Sequence, residues 1–98
     1  MYKNTKTNVY IGMYYYIYKK ERRDIMKQGR LGYNEENGRY GLLIRDLWVN
    51  SGFHCGDAME VLVDGEWVPT RMEMGLDRKW YLVDTPYYGN LENVQARI

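Results

Sequence analysis

Residues 58–74 read AMEVLVDGEWVPTRMEM, two runs of strand-favouring residues on either side of Asp64-Gly65. Asp-Gly between alternating apolar runs is a strong local signal for a β-hairpin with a two-residue turn. Such a turn pairs Val63 with Glu66, Val61 with Val68, and Glu60 with Pro69. Position 69 then lies in a non-hydrogen-bonded pair, where the N–H that proline lacks is not needed. The segment therefore predicts an antiparallel hairpin with a defined register.

This register divides the hairpin into an apolar face and a mixed face, because side chains alternate along a strand. The predicted core face carries Met59, Val61, Val63, Val68, Met72 and Met74. The other face carries Glu60, Leu62, Trp67, Arg71 and Glu73. Glu60 and Arg71 lie diagonally across the two strands, within reach of each other's long side chains. Although such faces are more often solvated or internally paired, this one is the best candidate binding surface in the chain.

Strand patterns continue on both sides of the hairpin. Residues 30–33 and 39–44 flank an Asn-Gly turn, residues 80–84 form a further apolar run, and residues 94–98 alternate to the end of the chain. Residues 45–57 carry scattered aromatics and glycines and predict a long irregular connection. We therefore expect a mainly β fold, a small antiparallel SH3-like barrel of five or six strands over residues 29–98, whose closure removes the sheet edges.

The charge of the chain differs between its two parts. Residues 1–28 carry seven Lys/Arg and two Asp/Glu, and residues 29–98 carry seven Lys/Arg and eleven Asp/Glu. The predicted domain is therefore acidic and residues 1–28 form a basic N-terminal extension. Nucleic-acid binders normally present a basic face to the phosphates, so a nucleic-acid role would rest on the extension.

The extension supports two interpretations. Purine-only codons at Glu21-Arg22-Arg23 would contain a ribosome-binding sequence of the AGGAGG type just before Met26, and translation would then naturally begin at Met26. Alternatively, residues 9–18, rich in Tyr and Ile, form a strand or amphipathic segment that covers a barrel edge or a partner. This segment is too short to span a bilayer, and basic residues follow it where a signal-peptide cleavage site would lie, so we expect no membrane association.

The candidate chemistry is sparse. Cys55 is the single cysteine, which excludes an intrachain disulfide and suits a reducing cytoplasm. His54-Cys55-Gly56-Asp57 brings an imidazole, a thiol and a carboxylate together, but a zinc site needs about four ligands. Phosphate-binding glycine loops and paired-acid motifs are missing from the sequence. We therefore expect a protein that is not an enzyme, with no catalytic residues, metal or cofactor.

Several segments carry a family resemblance. They are Gly29-Arg30-Leu31, Asn37-Gly38-Arg39-Tyr40-Gly41, Phe53-His54-Cys55-Gly56-Asp57, residues 60–73 and Trp80-Tyr81-Leu82-Val83. In these segments residues 29–98 resemble a family of small bacterial proteins catalogued as a domain of unknown function. The family is common in plasmids, phages and integrative elements, and its members usually begin near the position of Met26. The resemblance implies a mobile-element context and no particular reaction.

Acidity and exposed aromatics then predict a protein-binding module from a mobile element, which occupies the basic nucleic-acid-binding surface of a partner. An inhibitor of a host defence nuclease, of the anti-CRISPR type, is a concrete instance. The predicted binding residues are Glu35, Glu36, Glu60, Trp67, Arg71, Glu73, Asp77 and Tyr81. The alternative is a nucleic-acid accessory protein that stacks bases on Tyr40, Trp67, Trp80 or Tyr81, with Arg39, Arg71 and the basic extension nearby. The oligomeric state stays open, a homodimer included.

Overall fold

A computed structural model describes residues 26–98, and the interpretations of residues 1–25 lie outside the described part of the chain. The described residues contain strands and turns and no helix. The strands are β1 (Gln28–Asn34), β2 (Arg39–Ile44), β3 (Leu47–Asn50), β4 (Ala58–Val63), β5 (Glu66–Met74), β6 (Trp80–Leu82) and β7 (Gln95–Arg97). The mainly β, antiparallel character predicted from the sequence is confirmed.

The β4–β5 hairpin has the predicted register. Val63 is opposite Glu66, Val61 opposite Val68, and Glu60 opposite Pro69. Asp64 and Gly65 both have positive φ. A two-residue turn needs this conformation to match the right-handed twist of the two strands. Of the predicted core face, Met59, Val61 and Met72 are buried, while Val63 packs against the core from its edge.

Strand β3 was not predicted, and its segment was wrongly assigned to an irregular connection. Ile44 pairs with Leu47 across a two-residue turn in which Arg45 and Asp46 have φ of 53° and 63°. Turns of this type usually contain Asn or Gly, because most side chains disfavour the left-handed region. Arg-Asp is therefore a weak turn signal in the sequence.

The strand order is β3-β2-β1-β7-β4-β5-β6 within the described residues. The C-terminal strand β7 lies in the middle, where Ala96 pairs with Gly29 on β1 and with Val61 on β4. It joins a β1–β2–β3 half to a β4–β5–β6 half. Residues 26–98 thus contain seven strands instead of the expected five or six.

The sheet is curved but open. Neighbouring strands lie about 4.8 Å apart, so β2 and β6 would be about 24 Å apart in a flat sheet of this order. The Trp80 Nε1–H on β6 nevertheless donates to the Gly38 carbonyl before β2, at 3.0 Å. Side chains thus bring the two ends together, while the two edge strands of the described sheet, β3 and β6, do not pair with each other. The predicted closed barrel is not confirmed, because the sheet curves without the backbone hydrogen bonds between its first and last strands that would close it.

The concave side of this sheet holds one hydrophobic core. Its buried members are Leu31, Tyr40, Leu42, Phe53, Met59, Val61, Met72, Leu82, Leu91, Val94 and Ala96. They come from both halves and from the loops before β4 and β7. Burial of the core therefore couples the halves more extensively than the short strand β7 could alone.

Gly41 on β2 is expected to be intolerant of a side chain. A Cβ there would overlap the Asn50 carbonyl oxygen, a backbone atom of β3. At Gly32 the first atom met is Cδ1 of Leu43, at 2.6 Å, the movable end of a side chain. We expect Gly41→Ala to lower the free energy of unfolding by about 1–3 kcal/mol, and Gly32→Ala to cost less. Urea denaturation of both variants measures this, and an equal effect would contradict the assignment.

Candidate functional site

The outer, convex side of the β4–β5 hairpin carries a cluster of Glu60, Trp67 and Arg97. The Arg97 guanidinium lies 4.3 Å from the centre of the Trp67 ring, and its Nε donates to Glu60 Oε1 at 2.6 Å. The pairing of Glu60 with Arg97 across β4 and β7 makes this contact possible. This cation–π contact fixes the Arg97 and Trp67 side chains. The half-buried Trp67 ring therefore lies beside the Glu60–Arg97 ion pair.

Arg71 does not pair with Glu60, the residue that lies diagonally across the predicted hairpin. Its Nε donates to Glu73 Oε2 at 2.9 Å, two residues further along β5, and Glu60 is held by Arg97 instead. The Arg71 side chain remains more than half exposed. The two carboxylates of this face are thus already ion-paired, which reduces their attraction for a basic partner.

Tyr81 extends the outer face toward β6. It pairs with Glu73 across the strands, and its ring lies 6.2 Å from that of the exposed Tyr88. Trp67, Arg71 and Tyr81 therefore share one side of the sheet, and Trp, Tyr and Arg are the residue types that dominate binding hot spots. We call the surface formed by Glu60, Trp67, Arg71, Glu73, Tyr81, Tyr88 and Arg97 the outer face.

The other predicted residues, Glu35, Glu36 and Asp77, lie apart from the outer face on two neighbouring turns. Glu35 and Glu36 are in the β1–β2 turn, and Asp77 is in the β5–β6 turn. The Trp80–Gly38 hydrogen bond holds these turns together. All three residues are exposed, and none forms an ion pair with another described residue. These carboxylates are therefore the more available ones for a basic partner.

A groove lies between the same two turns. It is lined by Asn37, Gly38, Arg39, His54, Cys55, Met74 and Trp80. The Arg39 guanidinium lies 5.5 Å from the centre of the Trp80 ring and donates to the Phe53 carbonyl at 3.1 Å. Both side chains therefore hold the two ends of the sheet together and form the groove wall.

The His54-Cys55-Gly56-Asp57 segment is a turn. The His54 N–H donates to Asp57 Oδ2 at 2.8 Å, while the His54 Nδ1 is 3.9 Å from the same oxygen. Cys55 is exposed. Within residues 26–98 no three His, Cys, Asp or Glu side chains converge as metal ligands. The carboxylate of Asp57 thus caps a backbone N–H.

The aromatics proposed for base stacking differ in accessibility. Tyr40 is 8% exposed, and its hydroxyl accepts from the Leu91 N–H and contacts the Gly89 carbonyl. Its ring is in the core, so the idea that Tyr40 stacks on bases is wrong. Trp80 is half-buried, with Arg39 over its ring. Trp67 and Tyr81 are half-buried as well, and the Trp67 ring carries Arg97 over its face.

The sequence did not point to Arg97 or to β3. Arg97 enters the outer face because β7 pairs with β4, a contact between residues 37 positions apart. Leu47, Trp48 and Val49 lie exposed on the outermost strand of the sheet. The one available sequence clue to β3 was the apolar run at 47–49, which directly follows the polar pair Arg45-Asp46.

No helix in the described part of the chain is long and apolar enough to cross a membrane. The strands define a small all-β domain built on one open, curved antiparallel sheet. Its exposed features include the outer face, the acidic turns and the apolar edge strand β3.

The chain belongs to the family described as domain of unknown function DUF5348, whose model matches residues 29–98. The family part of the resemblance seen in the sequence is thereby confirmed. The fold is similar to the crystal structure of a protein from Ruminococcus gnavus, solved as a structural-genomics target. The two are 37% identical, with a TM-score of 0.60 over 74% of this chain and 100% of the other. No protein with a curated description matches the chain.

Proposed function

We propose that this protein is a non-enzymatic, cytoplasmic protein-binding module that docks on a basic surface of its partner. The observation that carries the proposal is the position of Glu35, Glu36 and Asp77, three exposed carboxylates without ion-pair partners in the described residues, on two turns held together by Trp80. Fixed turns present charge without a large ordering cost, which favours fast and specific association.

The outer face supplies the second half of such a contact. Trp67 is immobilised by Arg97, and Tyr81 lies beside Tyr88. Rigid aromatics provide contact area at a low cost in conformational entropy, and exposed carboxylates can replace nucleic-acid phosphates on a basic surface. The partner class that fits both features is a protein with a basic, nucleic-acid-binding surface.

A host defence nuclease is our concrete instance of that partner. In this proposal the protein comes from a phage, plasmid or integrative element and acts as an inhibitor of the anti-CRISPR type. The acidic domain supports it, because seven Lys/Arg against eleven Asp/Glu in residues 29–98 oppose direct binding to nucleic acid.

The experiment captures partners of the immobilised 98-residue chain from a lysate of its source organism, then elutes them with duplex DNA or with RNA. A partner held through its nucleic-acid-binding surface is expected to be released by nucleic acid and to lose nucleic-acid binding when the chain is added. Retention of the partner throughout would contradict the proposal. A gel shift of the chain itself with single-stranded and duplex nucleic acid tests the alternative, since tight, salt-sensitive binding would favour the accessory-protein function.

Charge reversal of the acidic turns gives a sharper prediction. Replacement of Glu35, Glu36 and Asp77 with Lys is expected to weaken partner binding by about tenfold or more, mainly through slower association at low salt. The matched control reverses Asp64, Glu66 and Asp84, three other exposed acidic residues. Asp64 and Glu66 lie at the opposite end of β5, about 30 Å away for a nine-residue strand. Surface plasmon resonance measures both, and equal losses would indicate that only net charge matters.

A further inference from the structure

Strand β3 is an apolar sheet edge. β2 is its one neighbour among the described strands. Its residues Leu47, Trp48 and Val49 are 71%, 42% and 39% exposed. Natural sheet edges are usually protected by Lys, Pro or a β-bulge. β3 contains neither Lys nor Pro, and the register of its pairing with β2 shifts only after Trp48, between Leu43 and Leu42. Three consecutive exposed apolar residues at such an edge mark a surface for strand pairing.

The backbone of β3 is oriented for such pairing. Ile44 and Leu47 flank a two-residue turn and so form a hydrogen-bonded pair, which directs the N–H and C=O of Trp48 away from β2. The Trp48 ring lies over the sheet. A Cβ built on Gly41 would be 3.0 Å from it, and one built on Gly32 would be 3.6 Å away. The glycines leave room for the indole, which holds the edge in a fixed shape.

The two ends of β3 carry opposite charges. At its start, Arg45 is exposed and has no ion pair with another described residue, while Asp46 is neutralised by Arg30. Near its end, the Ser51 carbonyl accepts hydrogen bonds from Asn34 Nδ2 at 2.9 Å and Asn37 Nδ2 at 3.0 Å. These bonds bring the acidic β1–β2 turn, with Glu35 and Glu36, to that end of the strand.

We propose that β3 pairs antiparallel with β3 of a second copy of this chain, forming a two-fold symmetric dimer with a continuous sheet. Antiparallel pairing places the start of one β3 beside the end of the other. Arg45 of each copy then faces the Glu35–Glu36 turn of its partner, and the symmetry makes this contact twice. Leu47, Trp48 and Val49 are covered in the same step. An isologous contact of this kind is complete with two copies, so the edge does not propagate into a fibre.

Sedimentation velocity of the full chain over a range of concentrations tests the dimer. The expected mass is twice the 11.8 kDa of one chain at high concentration. Leu47→Lys is expected to raise the dimer dissociation constant by at least about tenfold, because Lys on an edge strand blocks pairing. Leu76→Lys is the matched control, since Leu76 is fully exposed in the β5–β6 turn. A monomer at all concentrations overturns the proposal, whether the edge is left open or is taken by another part of the chain or by another protein.

A charge swap tests the orientation of the pair. Arg45→Glu is expected to weaken the dimer about tenfold, as is the Glu35→Arg/Glu36→Arg double variant, and combining all three changes is expected to restore it. Arg78→Glu, the same change at an exposed position in the β5–β6 turn, controls for net charge. Failure of the combined variant to recover overturns the antiparallel arrangement. The Glu35–Glu36 turn takes part in both contacts, so the dimer and the basic partner compete for it. A monomer that still binds a nuclease would leave the proposed function intact, so the two proposals fail separately.

Discussion

Ala96→Asp is expected to leave most of the protein unfolded at 25 °C. Ala96 is fully buried on β7, between Gly29 of β1 and Val61 of β4. The buried core residues of the described chain include no cation for a carboxylate at this position, and an uncompensated buried charge costs about 3–5 kcal/mol. A single core in a domain of this size rarely supplies more than about 3–5 kcal/mol of stability. The substitution also separates the two halves of the sheet at their central strand.

The matched control is Gln95→Asp, which places the same charge one residue earlier on the exposed side of the strand. We expect it to change the free energy of unfolding by less than about 0.5 kcal/mol. Far-UV circular dichroism and urea denaturation of both variants measure the difference. A cooperatively folded Ala96→Asp protein with native-like stability would show that β7 is not the element that joins the halves.

Phe53→Ala is expected to lower the free energy of unfolding by about 3–5 kcal/mol, the usual cost of removing a buried aromatic ring. Phe53 is 2% exposed and lies in the loop between β3 and β4. Its N–H donates to the Tyr40 carbonyl at 2.8 Å, and its carbonyl accepts from Arg39 Nη1. The ring therefore anchors an irregular segment to the core, and its loss leaves a cavity that the loop cannot close without breaking these bonds.

Two further variants test whether the loss of stability comes from the packing of the Phe53 ring or from any truncation of an apolar side chain. Phe53→Leu keeps an apolar side chain at the site and is expected to lose less stability than Phe53→Ala, because the residual cavity is smaller. Leu76→Ala removes a fully exposed side chain and should stay within about 0.5 kcal/mol of the parent. Far-UV circular dichroism shows which variants fold in water, and urea midpoints with an unchanged slope rank those that do. Equal stability of the Phe53→Ala variant and the parent would mean that the loop does not contribute to the core.

The extent to which the sequence predicted the candidate site depended on distance along the chain. The positions of Trp67, Arg71 and Glu73 on one face followed from alternation within a single hairpin, and the register confirms them. The ion pair of Glu60 with Arg97 did not follow from alternation, because Arg97 reaches Glu60 only through the pairing of β4 with β7. Sequence spacing carries no information on which distant strand becomes a neighbour.

Burial of individual aromatics was equally hard to predict. Tyr40 alternates with glycine and leucine in a strand pattern that suits either face, and the structure places its ring in the core. Strand β3 was missed for another reason, since Arg45 and Asp46 adopt left-handed backbone conformations that their side chains do not favour. The surrounding sheet compensates for that local cost.

Local rules were sufficient for the β4–β5 hairpin but not for the β2–β3 hairpin. Side-chain alternation and the steric requirements of Asp64-Gly65 specify the β4–β5 register, because both act over a few residues. The sheet order, the central position of β7 and the Trp80–Gly38 contact arise only when the whole chain folds. They depend on burying one shared core from two halves, and the free energy of that burial belongs to the assembled structure and to no single segment.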